Sequence, residues 1–544
     1  MNGSELLMRL LLEQGVDLVF GYPGGAVLHI YDALYKYSGQ IRHVTTAHEQ
    51  GAAHAADGYA RLTGKTGVVF ATSGPGATNL VTGIAAAYMD SVPMVVVTGN
   101  VGTGLIGRDS FQEVYIAGIT LPITKHNFVV RHADELAPAI RAAFQIAQEG
   151  RKGPVLVDIP KDVSAAECEY RPPCSPRPAA IPLLNDGGLA QAAQALNKAH
   201  RPLILFGGGV QPSNAGEQLR TLCEKGDIPA VHTLMAAGVL GCGEPRNLGL
   251  AGMHGNASAN KALGEADTLL ILGSRLSDRV ALDFARFAPK AFKIHADIDA
   301  AELGKNVAVD IPLAGDAGAI LERLLPLIET KSRSEWRAQI ARWQAEDFHP
   351  QDDDSHLKPH QIMRAIGDIA GEDAIYVTDV GQHQLWAAQY ARHLKPRSFL
   401  TSGGLGAMGY GYGAAIGAAM AAGGRPVAHI TGDGSLHMNM AEASTAVRYG
   451  VPVITVIFNN RALGMVRQWQ DAFFGQRHSA TEPERRTDYV KLAEGFGLRG
   501  FRCTGLQQFE AALAQALALG GPAWIECLID RDEKVLPMIS TEGD

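Results

Sequence analysis

PVAHITGDGSLHMNMAEASTAVRYGVPVITVIFNN, residues 426–460, holds two short apolar segments on either side of a segment with helical character. The first apolar segment ends in Gly432-Asp433-Gly434, and the second ends, 24 residues further on, in Asn459-Asn460. The order strand, helix, strand, with both strands continuously apolar, predicts parallel strands that are covered on both faces. Both polar ends then lie at the carboxyl edge of the sheet, where open α/β sheets bind ligands.

This predicted edge carries the residues of a metal and phosphate site. Asp433 and Asn460 offer a carboxylate and an amide oxygen, which Mg²⁺ accepts together with phosphate oxygens. Gly434 leads into a helix, and the N-terminus of a helix receives a diphosphate. Two ordinary turns would also explain these residues, but the spacing and the strand context together favour a magnesium–diphosphate site.

Similar apolar segments recur along the chain, and helical patterns follow them, which predicts an α/β fold with parallel sheets. A proline-rich segment at 166–188 and a polar segment at 331–359, with a helix and then an acidic run, interrupt this rhythm. We therefore predict three doubly wound parallel-sheet domains at residues 1–165, 186–330 and 360–544. The apolar segments lie at 17–25, 67–76, 93–100, 154–160, 202–209, 268–275, 293–299, 374–381, 426–434, 452–460 and 522–530.

The first and third blocks resemble each other. SGPG (73–76) is followed by VPMVVVTGN (92–100), and TGDG (431–434) is followed at nearly the same spacing by VPVITVIFNN (451–460). This order predicts two copies of one doubly wound unit on either side of a different middle domain.

The composition excludes several classes of protein. The 544 residues include 48 Lys and Arg against 56 Asp and Glu, a net charge of −8, so the chain lacks the basic surplus that nucleic-acid binding requires. Hydrophobic residues make up 46% and the mean hydropathy is +0.00, enough for large cores. No apolar run approaches the ~20 residues of a membrane span, and the N-terminus lacks the features of a signal peptide. We expect a cytoplasmic protein that binds neither nucleic acid nor membranes.

The cysteines are scattered without a CxxC pair, which favours buried thiols in a reducing compartment over disulfides or a zinc site. They are Cys168, Cys174, Cys223, Cys242, Cys503 and Cys527.

HEQGAAH (48–54) holds a second candidate, Glu49, at the start of a helix rich in small residues. By itself the position indicates a carboxylate that interacts with the helix dipole. His48 and His54 lie six residues apart, off a common helical face, so the segment does not predict a zinc site.

With these motifs in place, the chain resembles the thiamine diphosphate enzymes, and within them the catalytic subunits of acetohydroxyacid synthase (acetolactate synthase). The ordered matches cover nearly the whole chain. They are FGYPGGA (20–26), AHEQGAAHAADGYAR (47–61), TSGPGATNLVTG (72–83), FQE (111–113), PITKHN (122–127), GPVLVDIPKDV (153–163), GMHG (252–255), DIDAAELGKN (297–306), TDVGQHQ (378–384), SGGLGAMGYG (402–411) and LGMVRQWQ (463–470).

The resemblance implies a pyrimidine-binding domain, a central FAD-type domain and a diphosphate-binding domain. It implies decarboxylation of pyruvate and transfer of the two-carbon unit to pyruvate or 2-oxobutanoate, giving 2-acetolactate or 2-aceto-2-hydroxybutanoate for branched-chain amino acid biosynthesis. The implied assembly is a homodimer or homotetramer with active sites at the subunit interface, together with a small regulatory subunit. Three alternatives stay open: a pyruvate oxidase that uses FAD for redox chemistry, a carboligase with another acceptor, and a non-catalytic paralogue.

For thiamine diphosphate and Mg²⁺, the resemblance makes Glu49 the partner of the pyrimidine N1′ and places Met408 under the bend of the cofactor. Gln112 is a further catalytic candidate. Asp433, Asn460 and the backbone carbonyl of Ala462 would bind Mg²⁺. The other implied cofactor contacts are Pro23, Gly24, Gln382, His383, Gly434, Ser435 and Met465.

For FAD, the pattern GGGVQPS (207–213) lacks the Rossmann fingerprint, so the site rests on the resemblance alone. The implied residues are Gly207, Gly208, Gly209, Thr233, Leu234, Met235, His254, Gly273, Arg275, Asp297, Ile298 and Asp316.

For the second substrate, Arg279 matches the arginine that meets the carboxylate of the 2-oxo acid, a task that suits a planar bidentate donor. Trp469 matches the tryptophan that favours an ethyl over a methyl side chain, a preference worth about 1–3 kcal/mol. The remaining implied pocket residues are Phe111, Gln112, Lys161, Met253 and Val380.

Two departures from the family pattern stand out. Arg108 places a cation near the second-substrate pocket, which puts the acceptor preference in question. Gly413 stands where the family usually has proline, and we expect a looser turn there.

Overall fold

The computed structural model describes residues 1–173, 184–241, 243–352, 356–392, 395–483 and 485–539. Three six-stranded parallel sheets form the architecture, which confirms the predicted α/β fold of three doubly wound units. Eight short 3₁₀ turns connect the elements, at Gly25–Val27, Thr103–Leu105, Leu121–Ile123, Ala133–Glu135, Gly208–Val210, Leu234–Ala236, Ala300–Glu302 and Leu325–Leu327.

The N-terminal sheet has the strand order β2-β1-β3-β4-β6-β5. Its strands are β1 (Leu18–Gly21), β2 (Arg42–Thr45), β3 (Gly67–Ala71), β4 (Met94–Asn100), β5 (His126–Val129) and β6 (Pro154–Pro160). Its helices are α1 (Gly3–Glu13), α2 (Leu28–Lys36), α3 (Glu49–Thr63), α4 (Pro75–Asn79), α5 (Val81–Met89), α6 (Ile116–Thr120), α7 (Leu136–Gln148) and α8 (Lys161–Ala165).

The C-terminal sheet has the order β14-β13-β15-β16-β18-β17, which is the N-terminal order repeated, as the predicted duplication requires. Its strands are β13 (Ile375–Thr378), β14 (Phe399–Thr401), β15 (Val427–Gly432), β16 (Val453–Asn459), β17 (Arg499–Cys503) and β18 (Ala523–Leu528). Its helices are α15 (Pro359–Ala370), α16 (Gln382–Tyr390), α17 (Tyr410–Ala421), α18 (Asp433–Asn439), α19 (Glu442–Tyr449), α20 (Gly464–Phe473), α21 (Tyr489–Phe496) and α22 (Leu506–Leu519).

The central sheet differs, with the order β12-β11-β10-β7-β8-β9. Counted from its first strand this is 3-2-1-4-5-6, the order of dinucleotide-binding Rossmann folds. Its strands are β7 (Pro202–Phe206), β8 (Ala230–His232), β9 (Asn247–Leu250), β10 (Thr268–Leu272), β11 (Phe292–Asp297) and β12 (Ile311–Ala314). Its helices are α9 (Asp186–Lys198), α10 (Gly216–Gly226), α11 (Ala257–Glu265), α12 (Asp278–Ala281), α13 (Ala317–Leu324) and α14 (Ser334–Gln344).

Each sheet has one switch point, where the chain leaves two adjacent strands in opposite directions. These points lie between β1 and β3, between β7 and β10, and between β13 and β15. At each of them the loops at the carboxyl edge diverge and open a crevice, which is the usual ligand position in such sheets. The topology therefore gives the chain three candidate binding crevices.

Helices α3 and α17 join the outer domains through small residues. A Cβ on Gly417 would lie 1.8 Å from the carbonyl oxygen of Ala55, and one on Gly413 would lie 2.6 Å from that of Gly51. The helices can approach this closely only because glycines face backbone at the crossing. Gly413 lies inside α17, so the looser turn expected there is wrong: the glycine serves a helix contact.

The two predicted interdomain segments have different outcomes. Residues 174–183 of the proline-rich segment lie outside the described part of the chain. In the polar segment, α14 forms the predicted helix, and it buries Trp336 and Ile340 against the central core. The central unit therefore extends to this helix.

Of the six cysteines, Cys174 and Cys242 lie outside the described residues. Cys223, Cys503 and Cys527 are buried and Cys168 is partly buried, all as free thiols. None of the helices in the described ranges combines the length and apolarity of a membrane span.

Candidate active site

The carboxyl edge of the C-terminal sheet brings two helix N-termini together at its switch point. Helix α16 starts at Gln382 directly after β13, and α18 starts at Asp433 directly after β15. Neither helix has a side-chain cap, because Gly381 and Gly432 occupy the N-cap positions. A Cβ on Gly432 would lie 2.9 Å from Nδ1 of His383, so the two turns touch. Uncapped N–H groups that converge in this way form an anion site.

Asp433 and Asn460 both lie at this edge, as the sequence predicts. The Asp433 carboxylate is 3% exposed, and burial raises its pKa to about 6, with Arg485 Nη1 3.9 Å from Oδ2 as the nearest cation. The Asn460 side chain is buried, and its Oδ1 accepts a hydrogen bond of 3.1 Å from the backbone N–H of Ala462. Residues 433, 460 and 462 are thus the predicted carboxylate, amide and carbonyl set.

This oxygen set fits a hard cation that takes its remaining ligands from phosphate. In the described ranges, no three His, Cys, Asp or Glu side chains cluster as metal ligands, so the mixed set is the candidate. Two buried nitrogens nearby, Nε2 of His383 and Nη1 of Arg485, have no hydrogen-bond partner among the described residues. Buried donors of this kind are costly without a partner, and a bound diphosphate would supply one.

A chain of amides connects the Asn460 side chain to the C-terminal segment. Nδ2 of Asn460 donates to Oε1 of Gln382 (3.2 Å), and Nε2 of Gln382 donates to Oε1 of Gln468 (3.0 Å) and to the carbonyl of Glu533 (2.8 Å). Gln468 also holds both backbone groups of Val535 at 2.9 Å. This chain fixes which atom of Asn460 faces the metal position. The carboxamide of Gln382 therefore makes its hydrogen bonds within the protein. The backbone N–H of Gln382, at the N-terminus of α16, remains for a ligand.

Met408 and Ser435 lie beside the Gly434 turn. The Cε of Met408 lies 3.7 Å from the position that a Cβ on Gly434 would take, and Leu463 lies closer still, at 2.7 Å. The hydroxyl of Ser435 donates to the carbonyl of Val380 at 2.9 Å. Met408 is thus positioned next to the predicted diphosphate site.

Glu49 lies at the switch point of the N-terminal sheet, as the first residue of α3. His48 caps this helix by accepting from the N–H of Gln50 through Nδ1 (3.1 Å). The Glu49 side chain is 8% exposed and its Oε2 accepts from Nδ2 of Asn79 at 2.9 Å. A Cβ on Gly76 would lie 3.1 Å from Oε1, so the glycine gives this carboxylate more room than a larger residue would.

Pro23 and Gly24 follow β1 at the same edge, and a Cβ on Gly24 would lie 2.5 Å from Thr72. Thr72 lies in the loop after β3, and its hydroxyl oxygen accepts a hydrogen bond of 3.2 Å from the backbone N–H of Ala26. The carboxylate of Glu49 therefore borders a narrow crevice walled by backbone and small side chains.

A cavity of about 850 Å³ lies between the three domains, at the switch point of the central sheet. Gly207 lies just behind its wall, where a Cβ would meet the Gly273 carbonyl at 2.3 Å. The Asp297 carboxyl ends β11 in this cavity, and burial raises its pKa to about 6. The predicted flavin residues that line the cavity are Gly208, Gly209, Thr233, Leu234, Met235, His254, Gly273, Arg275, Asp297, Ile298 and Asp316.

Five further residues of the predicted substrate and cofactor sites line the same cavity. The Arg279 guanidinium lies 6.0 Å from the centre of the Trp469 ring, and its Nη1 lies 3.7 Å from the sulfur of Met253. The Arg279 side chain is 61% exposed, and among the described residues its one ionic partner is Asp278, at 3.8 Å. Val380 and Met465 complete the wall. A cation beside an aromatic ring in an open pocket is suited to a small carboxylate with an apolar side chain.

The other substrate candidates lie elsewhere in the same chain. Phe111 is 87% exposed, Lys161 is exposed at the start of α8, and Gln112 is in the left-handed region (φ 57°). Neither these three residues nor Glu49 is among the residues that line the central cavity in the described part of the chain. Within one chain, these four residues therefore lie outside the cavity that Arg279 and Trp469 line.

Sequence reasoning missed several residues of the site. Arg151 and Lys152 line the cavity, and Arg151 pairs with Glu302 at 2.8 Å. Gln468 completes the amide chain, and the sequence assigns it no role. Their partners are far away in sequence, so no local pattern identifies them. The pair of basic residues before GPVLVDIP was the one available signal for a cavity cation.

Three family models match the chain. The N-terminal TPP binding domain of thiamine pyrophosphate enzymes matches residues 1–119, the central domain matches 189–324, and the C-terminal TPP binding domain matches 379–527.

Curated relatives match over nearly their full length. The chain is 46% identical to an acetolactate synthase of Mycobacterium bovis, over 99% of this chain and 90% of the relative. It is 44% identical to a probable acetolactate synthase large subunit of Methanocaldococcus jannaschii, over 100% and 94%. It is 41% identical to the acetolactate synthase isozyme 3 large subunit of Escherichia coli, over 99% and 96%.

Proposed function

The chain belongs to the acetolactate synthase large subunits of the thiamine pyrophosphate enzyme family, and on that premise we propose that it joins two 2-oxo acids with loss of CO₂. Two pyruvates would give 2-acetolactate, and pyruvate with 2-oxobutanoate would give 2-aceto-2-hydroxybutanoate, in the biosynthesis of branched-chain amino acids. The observation that carries this proposal is the cluster of Arg279, Met253 and Trp469 on the wall of the cavity that also holds Val380 and Met465.

We assign thiamine diphosphate, Mg²⁺ and FAD as cofactors. When bound, thiamine diphosphate supplies a nucleophilic carbon and an electron sink for the decarboxylation. Asp433, Asn460 and the carbonyl of Ala462 would hold Mg²⁺, while the N–H groups at the starts of α16 and α18 would hold the diphosphate. The glycine loops after β7 and β10 and the carboxylates at 297 and 316 would hold FAD in a mainly structural role.

Glu49 would hold a proton and exchange it with N1′ of the pyrimidine ring. Its carboxylate is nearly buried in the N-terminal crevice, and Asn79 occupies only one of its oxygens. The other oxygen faces Gly76 and remains for a ring nitrogen. A carboxyl group within hydrogen-bond reach of a ring nitrogen can act toward it as general acid and base.

Arg279 would receive the carboxylate of the second 2-oxo acid, and Trp469 would contact its alkyl group. The guanidinium is open to the cavity and offers two parallel donors, which match a carboxylate. One methylene group contributes only about 1–3 kcal/mol to binding. Trp469 would therefore favour the substrate with an ethyl group over the one with a methyl group without excluding the latter.

We further propose that each active site combines two copies of the chain. Glu49, Phe111, Gln112 and Lys161 would come from one subunit, and the Asp433 edge with the cavity from its partner. Within one chain these four N-terminal residues are not among the described residues that line the cavity, which supports this arrangement. So does the exposure of large apolar side chains near Phe111, since Tyr115 and Leu121 are 73% and 70% exposed. The relatives are named as large subunits, and we propose a small regulatory subunit as a second partner, in the cytoplasm.

Product analysis tests the function. Purified protein with thiamine diphosphate, Mg²⁺ and FAD should convert pyruvate to 2-acetolactate without oxygen uptake, and added 2-oxobutanoate should yield 2-aceto-2-hydroxybutanoate. Oxygen consumption with acetyl phosphate would instead identify a pyruvate oxidase. The absence of any pyruvate turnover with all three cofactors bound would identify a non-catalytic paralogue.

The Glu49→Gln variant tests the proton-transfer role. Glutamine keeps the shape and an acceptor for Asn79 but cannot exchange the proton, so we expect acetolactate formation to fall by about 10²–10⁴-fold. The control is Glu169→Gln, an exposed change far from the crevice, which should leave the rate unchanged. Equal rates for both variants, with equal melting temperatures, would refute the role of Glu49.

A further inference from the structure

A side pocket opens from the central cavity at the junction of the three domains. Its volume is about 90 Å³, and it shares Asp90, Lys152 and Gly208 with the large cavity. The C-terminal domain contributes Arg397, and the N-terminal domain contributes Arg61. Three cationic side chains and one carboxylate therefore line a pocket that has room for only a few atoms.

Part of this charge is balanced within the protein. Arg61 is paired with Asp57 at 2.5 Å and with Asp90 at 2.8 Å. Asp90 also accepts from the backbone N–H groups of Gly403 (3.1 Å) and Gly404 (2.7 Å). Arg61 and Asp90 are thus both fully engaged, and they contribute little net charge to the pocket.

Lys152 and Arg397 have no anionic partner in the described ranges. Lys152 forms no hydrogen bond or ion pair with a described residue, and the Arg397 guanidinium donates only to the backbone carbonyls of Arg61 (2.7 Å) and Gln211 (3.2 Å). Burial and, after it, the nearby Arg397 lower the pKa of Lys152, while Asp316 opposes this shift. Burial also lowers the pKa of Arg397. Two partly desolvated cations that repel each other are unfavourable without a counter-charge.

We propose that Lys152 and Arg397 form a binding site for a phosphate group in this side pocket. Arginine offers a planar pair of donors and lysine a mobile point charge, the combination that holds a tetrahedral oxyanion. The pocket is reached through the central cavity, so the phosphate has two sources. It belongs either to the diphosphate of the cofactor that fills the cavity, which rests on the proposed function, or to free inorganic phosphate.

The test uses the full-length protein saturated with thiamine diphosphate and Mg²⁺, so that its other phosphate site is filled, and free of flavin. Binding of FAD, riboflavin and inorganic phosphate is measured by flavin fluorescence and by calorimetry. The variants are Lys152→Met and Arg397→Met. The control is Lys198→Met, an exposed lysine on the central domain.

If the pocket takes the cofactor diphosphate, Lys152→Met weakens FAD binding at least tenfold, leaves riboflavin binding unchanged, and phosphate competes with FAD. If it takes free phosphate, the variant loses phosphate binding while FAD and phosphate bind together in the parent. Either result supports the site. Arg397 also donates to two backbone carbonyls, so the Arg397→Met variant can lose stability. The Lys152→Met variant is therefore the decisive test of the site, and Lys152→Arg should restore binding.

The proposal is overturned if Lys152→Met binds both FAD and phosphate as tightly as Lys198→Met. A parent protein that binds phosphate in this pocket but does not bind FAD would refute the flavin assignment and leave the phosphate site in place. The two proposals therefore fail separately.

Discussion

The Asp158 side chain is a buried carboxyl that takes no part in the proposed reaction. It lies near the end of β6, is 2% exposed, and accepts from the hydroxyl of Thr98 (2.7 Å) and from Nδ2 of Asn100 (2.6 Å). Burial raises its pKa from 3.8 to about 6, because the two hydrogen bonds only partly offset desolvation. Its charged form therefore costs stability in the folded protein.

We expect this cost to appear as a pH dependence that Asp158→Asn removes. The pKa of Asp158 is higher in the folded than in the unfolded protein. The stabilising contribution of the protonated carboxyl is therefore complete below about pH 4 and is lost as the pH rises through about 6. With about 1.4 kcal/mol per pH unit, the wild type loses about 3 kcal/mol over this range. The asparagine can accept from Asn100 and donate to Thr98, so its packing is kept.

The measurement is the melting temperature of both proteins across pH 4 to pH 8. The melting temperature of the variant should rise relative to that of the wild type as the pH increases, and the difference should level off above the folded pKa of Asp158. A difference that is independent of pH would contradict the raised pKa.

The same residues show where sequence reasoning at single positions ends. Asp433 was identifiable because its neighbours form a spaced pair of strand ends. Glu49 alone indicated only a helix-start carboxylate, and the family resemblance was needed to assign it. Asp158 looks like any strand residue, because Thr98 and Asn100 reach it across the sheet from about 60 positions away.

Helix α20 connects the metal site to the substrate pocket. Gln468 is buried and bonds Gln382 and both backbone groups of Val535, while the next residue, Trp469, faces the cavity with Arg279. Gln468 therefore holds the Asn460 amide through Gln382, and it anchors the helix that carries Trp469 to the backbone of Val535. Loss of a hydrogen bond that orients a metal ligand usually lowers metal affinity by about 10–100-fold.

We expect Gln468→Met to raise the Mg²⁺ concentration for half-maximal activity by at least tenfold and to reduce the preference for 2-oxobutanoate over pyruvate. Gln470→Met is the matched control, since Gln470 lies on the same helix and bonds only Ser479 and Thr481. The measurement is a Mg²⁺ titration of activity together with the product ratio from mixed substrates. If both variants shift the two readouts equally, the amide chain does not position the site.

The crossing of α3 and α17 makes a second prediction about an element. In Gly417→Ala the new methyl would lie 1.8 Å from the Ala55 carbonyl, so the helices must separate, at a cost of about 1–3 kcal/mol or more. Gly264→Ala is the control, because nothing lies within 4 Å of its Cβ position in α11 and the change should gain about 0.5–1 kcal/mol. Thermal unfolding checks both signs. A Gly417→Ala protein that melts no lower than the wild type would contradict the tight crossing.

The elements themselves were largely predictable, and their contacts were not. The eleven predicted apolar segments became inner strands of the three sheets, because a strand buried on both faces leaves a continuous apolar pattern, and none of them is an edge strand. The glycines at 413 and 417 in α17 gave no such signal. Their role depends on α3, which lies more than 340 residues earlier, so it emerges only from the packing.

Across the full chain, the repeated order of the outer sheets explains why the site is divided. Each outer domain has its own switch-point crevice, one with Glu49 and one with Asp433, and duplication alone brings neither to the other. The central sheet adds a third crevice of dinucleotide type between them. A second copy of the chain is the simplest way to join an N-terminal crevice to a C-terminal one, because a two-fold axis then makes two identical sites.

This arrangement makes a quantitative prediction for mixed subunits. Glu49→Gln and Asp433→Ala should each abolish activity when present alone, because every site lacks one essential group. In a dimer that contains one subunit of each kind, one site receives both substitutions and the other receives neither. If subunits exchange at random, half of the dimers are mixed, and about a quarter of the wild-type activity should return.

The measurement is acetolactate formation after the two inactive proteins are mixed, dissociated and reassociated. The control is a double variant that carries Glu49→Gln and Asp433→Ala in one chain, mixed with either single variant. This mixture should restore no activity, because no site in any dimer then receives both native groups. If the sites lay within single chains, the first mixture would stay inactive as well. Recovered activity in the first mixture and none in the control would place the proton-exchanging carboxylate and the metal edge on different subunits.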